Sequence, residues 1–330
     1  MKVIIDMYGG DNAPKAPILG AAMAAKELGV EIVAVGNEAE MRKICEENNI
    51  SGFEFIDAPM VMPVCAEPTE ILKEYKQSSL AVGLKALADG RGDAFVSAGS
   101  TGAIVVGATL IVKRIKGIKR AALASVIPGL DRSYMLLDLG ANVECRPEML
   151  CQFASMGSIY MNKLEGVENP EVGLINIGAE ESKGGELQKE AYKLLKESDL
   201  NFIGNVEPRD LPRGVCDVAV ADGWTGNIVL KLTEGLVSAF GKKLKGVMMS
   251  SLLTKLGALT MKGALTDFKK SMDYTERGGA PLLGIAKPVI KAHGSSDPKA
   301  FMNAVRQAKA FYEQDVVGNI SAAVAAQKEG

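Results

Sequence analysis

The chain is poor in histidine: of 330 residues, only His293 carries an imidazole. That scarcity excludes multi-histidine metal centres and His/Cys zinc clusters, and any Ser-His-Asp relay would have to run through that one residue. Cysteine is sparse as well. Cys45, Cys65, Cys145, Cys151 and Cys216 are odd in number, widely spaced and free of any C-x-x-C. This pattern points to reduced thiols in a cytoplasmic protein rather than to a disulfide framework. Neither sign of charge dominates, with 38 Lys plus Arg against 40 Asp plus Glu and a net −2. Bulk binding to nucleic acid needs a cationic excess and is not expected. No apolar run approaches the ~20 residues of a transmembrane helix, and the N-terminus opens directly on KVIID, so neither a membrane span nor an export signal is expected.

What is present is alternation. Short β-branched runs recur, followed by small or polar residues and then a helical pattern. Strands are predicted over 3–5, 31–35, 94–97, 135–138, 173–177 and 217–221. They are apolar on both faces, as strands buried in a parallel sheet should be. Helices are predicted over 16–28, 39–48, 78–89, 148–161, 185–197 and 225–238. The order implies a three-layer α/β/α fold with a mainly parallel sheet and right-handed crossovers. The chain reads as one α/β unit over 1–330. Two lobes fit the length, but no composition shift marks a boundary.

Ligands in open parallel sheets bind beyond the carboxyl ends of the strands. Five strand ends carry glycine with Ser, Thr, Asn, Asp or Lys: 7–14, 98–102, 139–142, 178–185 and 222–227. Each alone is an ordinary strand-to-helix turn. Together, on one expected edge, they point to a shared anion-binding cleft, because glycine lets N–H groups approach a ligand and helix N-termini add positive potential. Neither G-x-G-x-x-G nor G-x-x-x-x-G-K-[ST] nor G-x-S-x-G is present, so dinucleotide, P-loop and nucleophile-elbow readings all weaken. Phosphate-sized sites without a protein nucleophile suit a reaction in which the anion itself attacks. Lys183 is either a solvated surface lysine or a cation of the cleft. Asn227 is either a helix cap or a donor to a developing oxyanion. His293 reads as structural or as a cap neighbour, and Cys145 and Cys151 as small buried hydrophobes.

In this order the motifs resemble the PlsX family, the bacterial phosphate acyltransferases of phospholipid synthesis. The resemblance runs from DMYGGDNAP at 6–14 through KQSS at 76–79, SAGSTGA at 97–103 and LLDLGAN at 136–142. It continues through INIGAEESKG at 175–184 and ADGWTGNIVLKLTEG at 221–235, and ends with GGAPLLG at 278–284 and HGSSD at 293–297. Each piece is weak alone; their joint order is specific. The resemblance implies a homodimer similar in fold to phosphotransacetylases and the isopropylmalate dehydrogenase group. It implies conversion of acyl-[acyl carrier protein] and inorganic phosphate to acyl phosphate and free carrier, with no metal or organic cofactor. The product would feed a membrane glycerol-phosphate acyltransferase. Lys183 and Asn227 become the expected catalytic residues. Gly99, Ser100, Thr101 and Gly102, with Gly223, Thr225 and Gly226, become phosphate ligands, and Asp138 and Asn142 orient them. Asp6 and Asp11 would brace the first loop.

Two rivals are a metal- and NAD-dependent decarboxylating dehydrogenase of the same gross fold, and a non-catalytic scaffold for a carrier protein or membrane. The first needs acidic residues gathered on a divalent cation; Asp6, Asp11, Asp138 and Asp222 lie on separate loops. Finally, a helix is expected over 248–265. At 100° per residue Met248, Met249, Leu252, Leu253, Leu256 and Leu259 share an arc of roughly 140°. With Lys242, Lys243, Lys245, Lys269 and Lys270 nearby, this is either a peripheral membrane contact or a packed or dimer-interface helix.

Overall fold

The structure, a computed structural model, describes residues 1–271 and 278–326. Its strands are β1 Lys2–Asp6, β2 Glu31–Gly36, β3 Glu54–Asp57, β4 Ala94–Ser97, β5 Ala122–Ile127 and β6 Tyr134–Leu137. They continue with β7 Val172–Ile175, β8 Phe202–Val206, β9 Val218–Val220, β10 Ala280–Leu283 and β11 Val289–Lys291. All join one sheet in the order β3-β2-β1-β4-β11-β10-β5-β6-β9-β7-β8. The six predicted strands are present. Missing from the sequence reading were β3, β5, β8, β10 and β11. ALASVI in β5 lacks clear periodicity, and the APLL of β10 is four residues with an internal proline.

The sheet is mostly parallel, but β10 pairs antiparallel with both β11 and β5, and β5 antiparallel with β6. Following those pairings across the sheet, β6, β9, β7 and β8 run opposite to β1, β2, β3, β4 and β11. The five glycine-bearing loops therefore do not share one edge, contrary to expectation. Those after β1 and β4 lie at one edge and those after β6, β7 and β9 at the other. A central hairpin reverses the chain, and nothing in an isolated strand records the direction of a neighbour.

What the two groups share is a face. Side chains alternate along a strand. Ile4, Phe95, Val289 and Leu136 belong to one continuous core cluster, which spans both halves of the sheet. Two residues further along β1, β4 and β11 stand Asp6, Ser97 and Lys291, hence on that same face, and Leu139, just past the end of β6, joins the same cluster. The other face carries two separate clusters. One packs around helices α1 (Lys15–Leu28) and α10 (Pro298–Glu313), the other around α5 (Pro147–Glu165), α6 (Glu186–Lys196) and α11 (Val316–Ala326).

The remaining helices are α2 (Glu38–Glu47), α3 (Ser79–Ala88), α4 (Thr101–Gly107), α7 (Gly223–Met248), α8 (Leu252–Thr260) and α9 (Lys262–Ser271). The single helix expected over 248–265 is corrected to the end of α7, all of α8 and the start of α9. Ser251 stops it: its hydroxyl accepts from Thr254 N–H while Thr254 Oγ1 accepts from Ser251 N–H, a reciprocal cap that starts a new helix. Leu252, Leu253, Leu256 and Leu259 all fall on α8 and are 64–82% exposed. Beyond Gly226, α7 buries no residue, and α8 buries none.

Candidate active site

At the first edge, three loops pack backbone against backbone. Asp6 is buried and accepts from Tyr8 N–H at 3.1 Å and from Ser97 Oγ at 2.7 Å. It braces the first loop as expected. Asp11 contributes through its backbone, its N–H donating to Gly294 O at 2.7 Å. Asn12 Nδ2 bonds the carbonyls of Ser295 and Ser296. Gly99 N–H is spent on Ser97 Oγ at 3.0 Å. Ser100 precedes α4 without a side-chain capping bond, and Ile104 N–H makes the first helical bond, to Ser100 O. The hydroxyl of Ser100 and the leading N–H groups of Thr101 and Gly102 thus have no hydrogen-bond partner among the described residues, at a helix N-terminus, where an anion is favoured.

At the second edge, Asp138 is the organiser. Fully buried, its carboxylate accepts from Leu123 N–H (3.0 Å), Ala141 N–H (3.1 Å), Asn142 N–H (2.7 Å) and Asn142 Nδ2 (2.8 Å). Burial pushes its carboxyl upward while these donors pull the other way. Asn142 also donates from Nδ2 to Ala121 O at 2.7 Å. Helix α7 then docks on this loop at its glycines. Gly223 N–H donates to Asn142 O at 2.8 Å, and a Cβ at Gly226 would lie 2.0 Å from Asp138 O. Only glycine permits that approach.

Several expected phosphate ligands turn out to be frame. The N–H of Gly223, Thr225 and Gly226 go to Asn142 O, Asp222 Oδ1 and Asp222 O, and Thr225 Oγ1 donates to Asp222 Oδ2 at 2.9 Å. Asp222, not Asn227, caps α7. That removes the capping explanation for Asn227, whose exposed side chain forms no hydrogen bond among the described residues and lies against Gly140: a Cβ built there would sit 3.5 Å from Asn227 Nδ2. Lys183 lies on the loop after β7, two strands from β6 in the sheet. Its side chain is 47% exposed, with Nζ 3.9 Å from Glu180 Oε1, an ion pair too long and too wet to hold it. Asn227 is thus an unspent donor beside a rigid loop, which suits stabilisation of an oxyanion, and Lys183 is an exposed cation on another loop of the same edge.

Lys291 was missed, because β11 was not recognised as a strand and no glycine follows it directly. It pairs in register with Ser97, and its Nζ donates to Ala292 O at 3.1 Å. Burial pushes its ammonium down to about 8, helped by Lys231 and opposed by Glu234. Lys231 and Glu234, paired at 2.9 Å, belong to α7, so this helix starts at the second edge and brings charge to the first. His293 is lowered in turn by burial and by Lys291. Its Nδ1 accepts from Ser295 N–H at 3.3 Å, which places the proton of the neutral ring on Nε2. The described residues contain no group of three or more His, Cys, Asp or Glu that could hold a metal.

A pH effect follows from Lys291. Its folded value lies below the ordinary 10.5, so folding expels a proton between about 8 and 10.5, and stability rises with pH across that window. Lys291→Met is expected to melt higher than the unaltered chain at pH 7. The difference should shrink to nothing as pH approaches 10.5. Thermal midpoints measured from pH 7 to 10.5 check this, and a constant difference would mean that burial of charge is not its origin.

The family model for "Fatty acid synthesis protein" matches residues 1–319. A phosphate acyltransferase from Thermoanaerobacterium thermosaccharolyticum is 48% identical over 320 residues, covering 97% of this chain and 96% of the relative. One from Clostridium novyi is 47% identical over 325 residues, 97% of each. Among solved structures, a phosphotransacetylase from Streptococcus pyogenes superposes with a TM-score of 0.65 at 18% identity, covering 95% of this chain and 94% of its own. A branched-chain phosphotransacylase from Enterococcus faecalis gives 0.57 at 14%, covering 94% and 99%. At such identities the structural likeness speaks for the fold alone. The sequence relatives and the family model carry the rest: the chain belongs to the PlsX family of fatty acid synthesis proteins and is a phosphate acyltransferase.

Proposed function

We propose that this enzyme transfers the acyl group of an acyl-[acyl carrier protein] thioester to inorganic phosphate, releasing acyl phosphate and free carrier. A phosphate oxygen attacks the thioester carbon, the carbonyl oxygen takes the charge of the tetrahedral intermediate, and the C–S bond breaks as the sulfur leaves and takes up a proton. Phosphate is nucleophilic near neutral pH, so the protein's part is orientation and electrostatics. The observation that most supports this is Asn227, an unspent amide held against the Gly140 turn by the docking of α7 on the Asp138 loop. Lys183, on the loop after β7 at the same edge, would supply a cation, and Ser100 at the start of α4 would help to hold phosphate.

The test is acyl phosphate trapped as a hydroxamate, with and without phosphate, after exhaustive treatment with EDTA. Turnover that needs phosphate and survives chelation is expected, because no metal-ligating cluster exists among the described residues. Loss to EDTA with recovery on adding a divalent ion would count against the mechanism.

The proposal extends to assembly and place. No helix among the described residues is long and apolar enough to cross a membrane. All five cysteines are free, which fits the cytoplasm. Ile228, Leu232, Leu236 and Phe240 recur every four residues along α7 and are exposed, a stripe suited to a second copy of this chain in a homodimer. The exposed leucines of α8, with Lys255 and the lysines at the end of α7, suit weak attachment to an anionic membrane surface. There the acyl phosphate would be handed to a membrane glycerol-phosphate acyltransferase. Leu252→Glu/Leu256→Glu is expected to lose most co-sedimentation with anionic vesicles while the dimer and soluble activity persist. Unchanged vesicle binding would remove α8 from that role, and loss of the dimer would assign it to packing.

A further inference from the structure

Between α4 and β5 the chain runs Lys113, Arg114, Ile115, Lys116, Gly117, Ile118, Lys119, Arg120: five cations in eight residues and no carboxylate. In a chain of net −2 this is a strong local excess. The fold concentrates it further. Arg114, Lys119 and Arg120 line a cavity of ≈ 650 Å³ together with Arg146, at the start of α5, with Glu144 the one carboxylate of the lining. Ion pairing inside the chain does not account for these groups. Lys119 approaches Glu148 at 3.6 Å, whereas Lys116, Arg120 and Arg146 have no carboxylate within 4 Å among the described residues. All three are exposed.

The cavity adjoins the reacting loop. Arg120 precedes Ala121, whose carbonyl is held by Asn142 Nδ2, and the Cys145 thiol contacts Asn142 O at 3.6 Å. Asn142 is in turn bonded to Asp138 and to the first residue of α7. A partner seated on these cations thus stands beside the Asp138 loop on which α7, the helix that carries Asn227, docks.

We propose that Arg120, Arg146 and Lys116 form the docking surface for the carrier protein, meeting a carboxylate-rich helix face of that partner. This rests on the reading of the activity given above. Charge complementarity favours a protein occupant over a free phosphate. The three cations are exposed rather than buried around one point, and exposed charges act mainly on encounter rate and its salt dependence.

The experiment compares two substrates carrying the same acyl group, one as the thioester of an acidic acyl carrier protein and one as the N-acetylcysteamine thioester. The variants are Arg120→Glu/Arg146→Glu and, separately, Lys116→Glu, each checked for an unchanged melting temperature. With the carrier substrate, kcat/KM is expected to fall at least about tenfold in the double variant and to lose most of its salt dependence. With the small thioester, kcat/KM and the KM for phosphate should stay at the unaltered level. Equal loss on both substrates, or no loss with the carrier, overturns the proposal. So does a raised KM for phosphate, which would make the cavity a phosphate seat. Lost binding to phosphatidylglycerol vesicles with intact carrier kinetics would assign the run to the membrane and overturn it too. If the unaltered chain turns over neither thioester with phosphate, the reading of the activity has failed, and the docking proposal falls with it.

Discussion

Asn227→Ala is expected to lower kcat by about 10²–10³-fold, the loss that follows removal of one preorganised oxyanion donor, ~2.7–4 kcal/mol of barrier. The melting temperature should barely move. The Asn227 side chain is exposed and forms no hydrogen bond among the described residues, and the cap of α7 is Asp222. A surface substitution of that kind stays within about 0.5 kcal/mol of neutral. Lys183→Ala should behave alike, since its one ion pair, at 3.9 Å to Glu180, contributes little to folding. Because the lost interaction belongs to the transition state, kcat and kcat/KM should fall together. Steady-state kinetics beside a thermal melt measure both quantities. A variant that keeps near-normal kcat would return that residue to the solvated surface.

Gly226→Ala is expected to be the most damaging single methyl in the molecule's functional half. The added carbon would lie 2.0 Å from Asp138 O, a backbone atom with nowhere to go, since the Asp138 side chain is already tied to Leu123, Ala141 and Asn142. Overpacking of this kind costs roughly 1–3 kcal/mol. The activity cost is larger, because α7 must lift from the loop and carry Asn227 with it, and a misplacement of about 1 Å costs on the order of 10²-fold. Gly235, further along the same helix, is the control: nothing lies within 4 Å of a Cβ placed there. Gly235→Ala should gain about 0.5–1 kcal/mol from helix propensity and leave turnover unchanged. Melting and kinetics of the two variants separate steric displacement of α7 from a general effect of alanine in that helix. Equal behaviour of the two would show that the close approach does not matter.

Periodicity made the alternation of strand and helix readable, because a buried parallel strand must be apolar on both faces and an amphipathic helix must repeat near 3.6 residues. The residue order of the glycine loops, from DMYGGDNAP to HGSSD, was enough to identify the family. The role of Asp6 as a brace was also legible. The tertiary structure decided what such local signals cannot carry. The antiparallel pairings of β5 and β10 turn half the sheet around, so loops that look equivalent in sequence stand at opposite edges yet on one face. A hydrogen bond is a property of two partners. Hence only the folded chain shows that Thr225 and Gly223 are spent on Asp222 and Asn142, while Asn227, identical to an ordinary cap by its position, is left with an amide to give. Lys291 became visible for the same reason: its depressed pKa arises from burial and from Lys231 on α7, 60 positions away in the chain and adjacent only after folding.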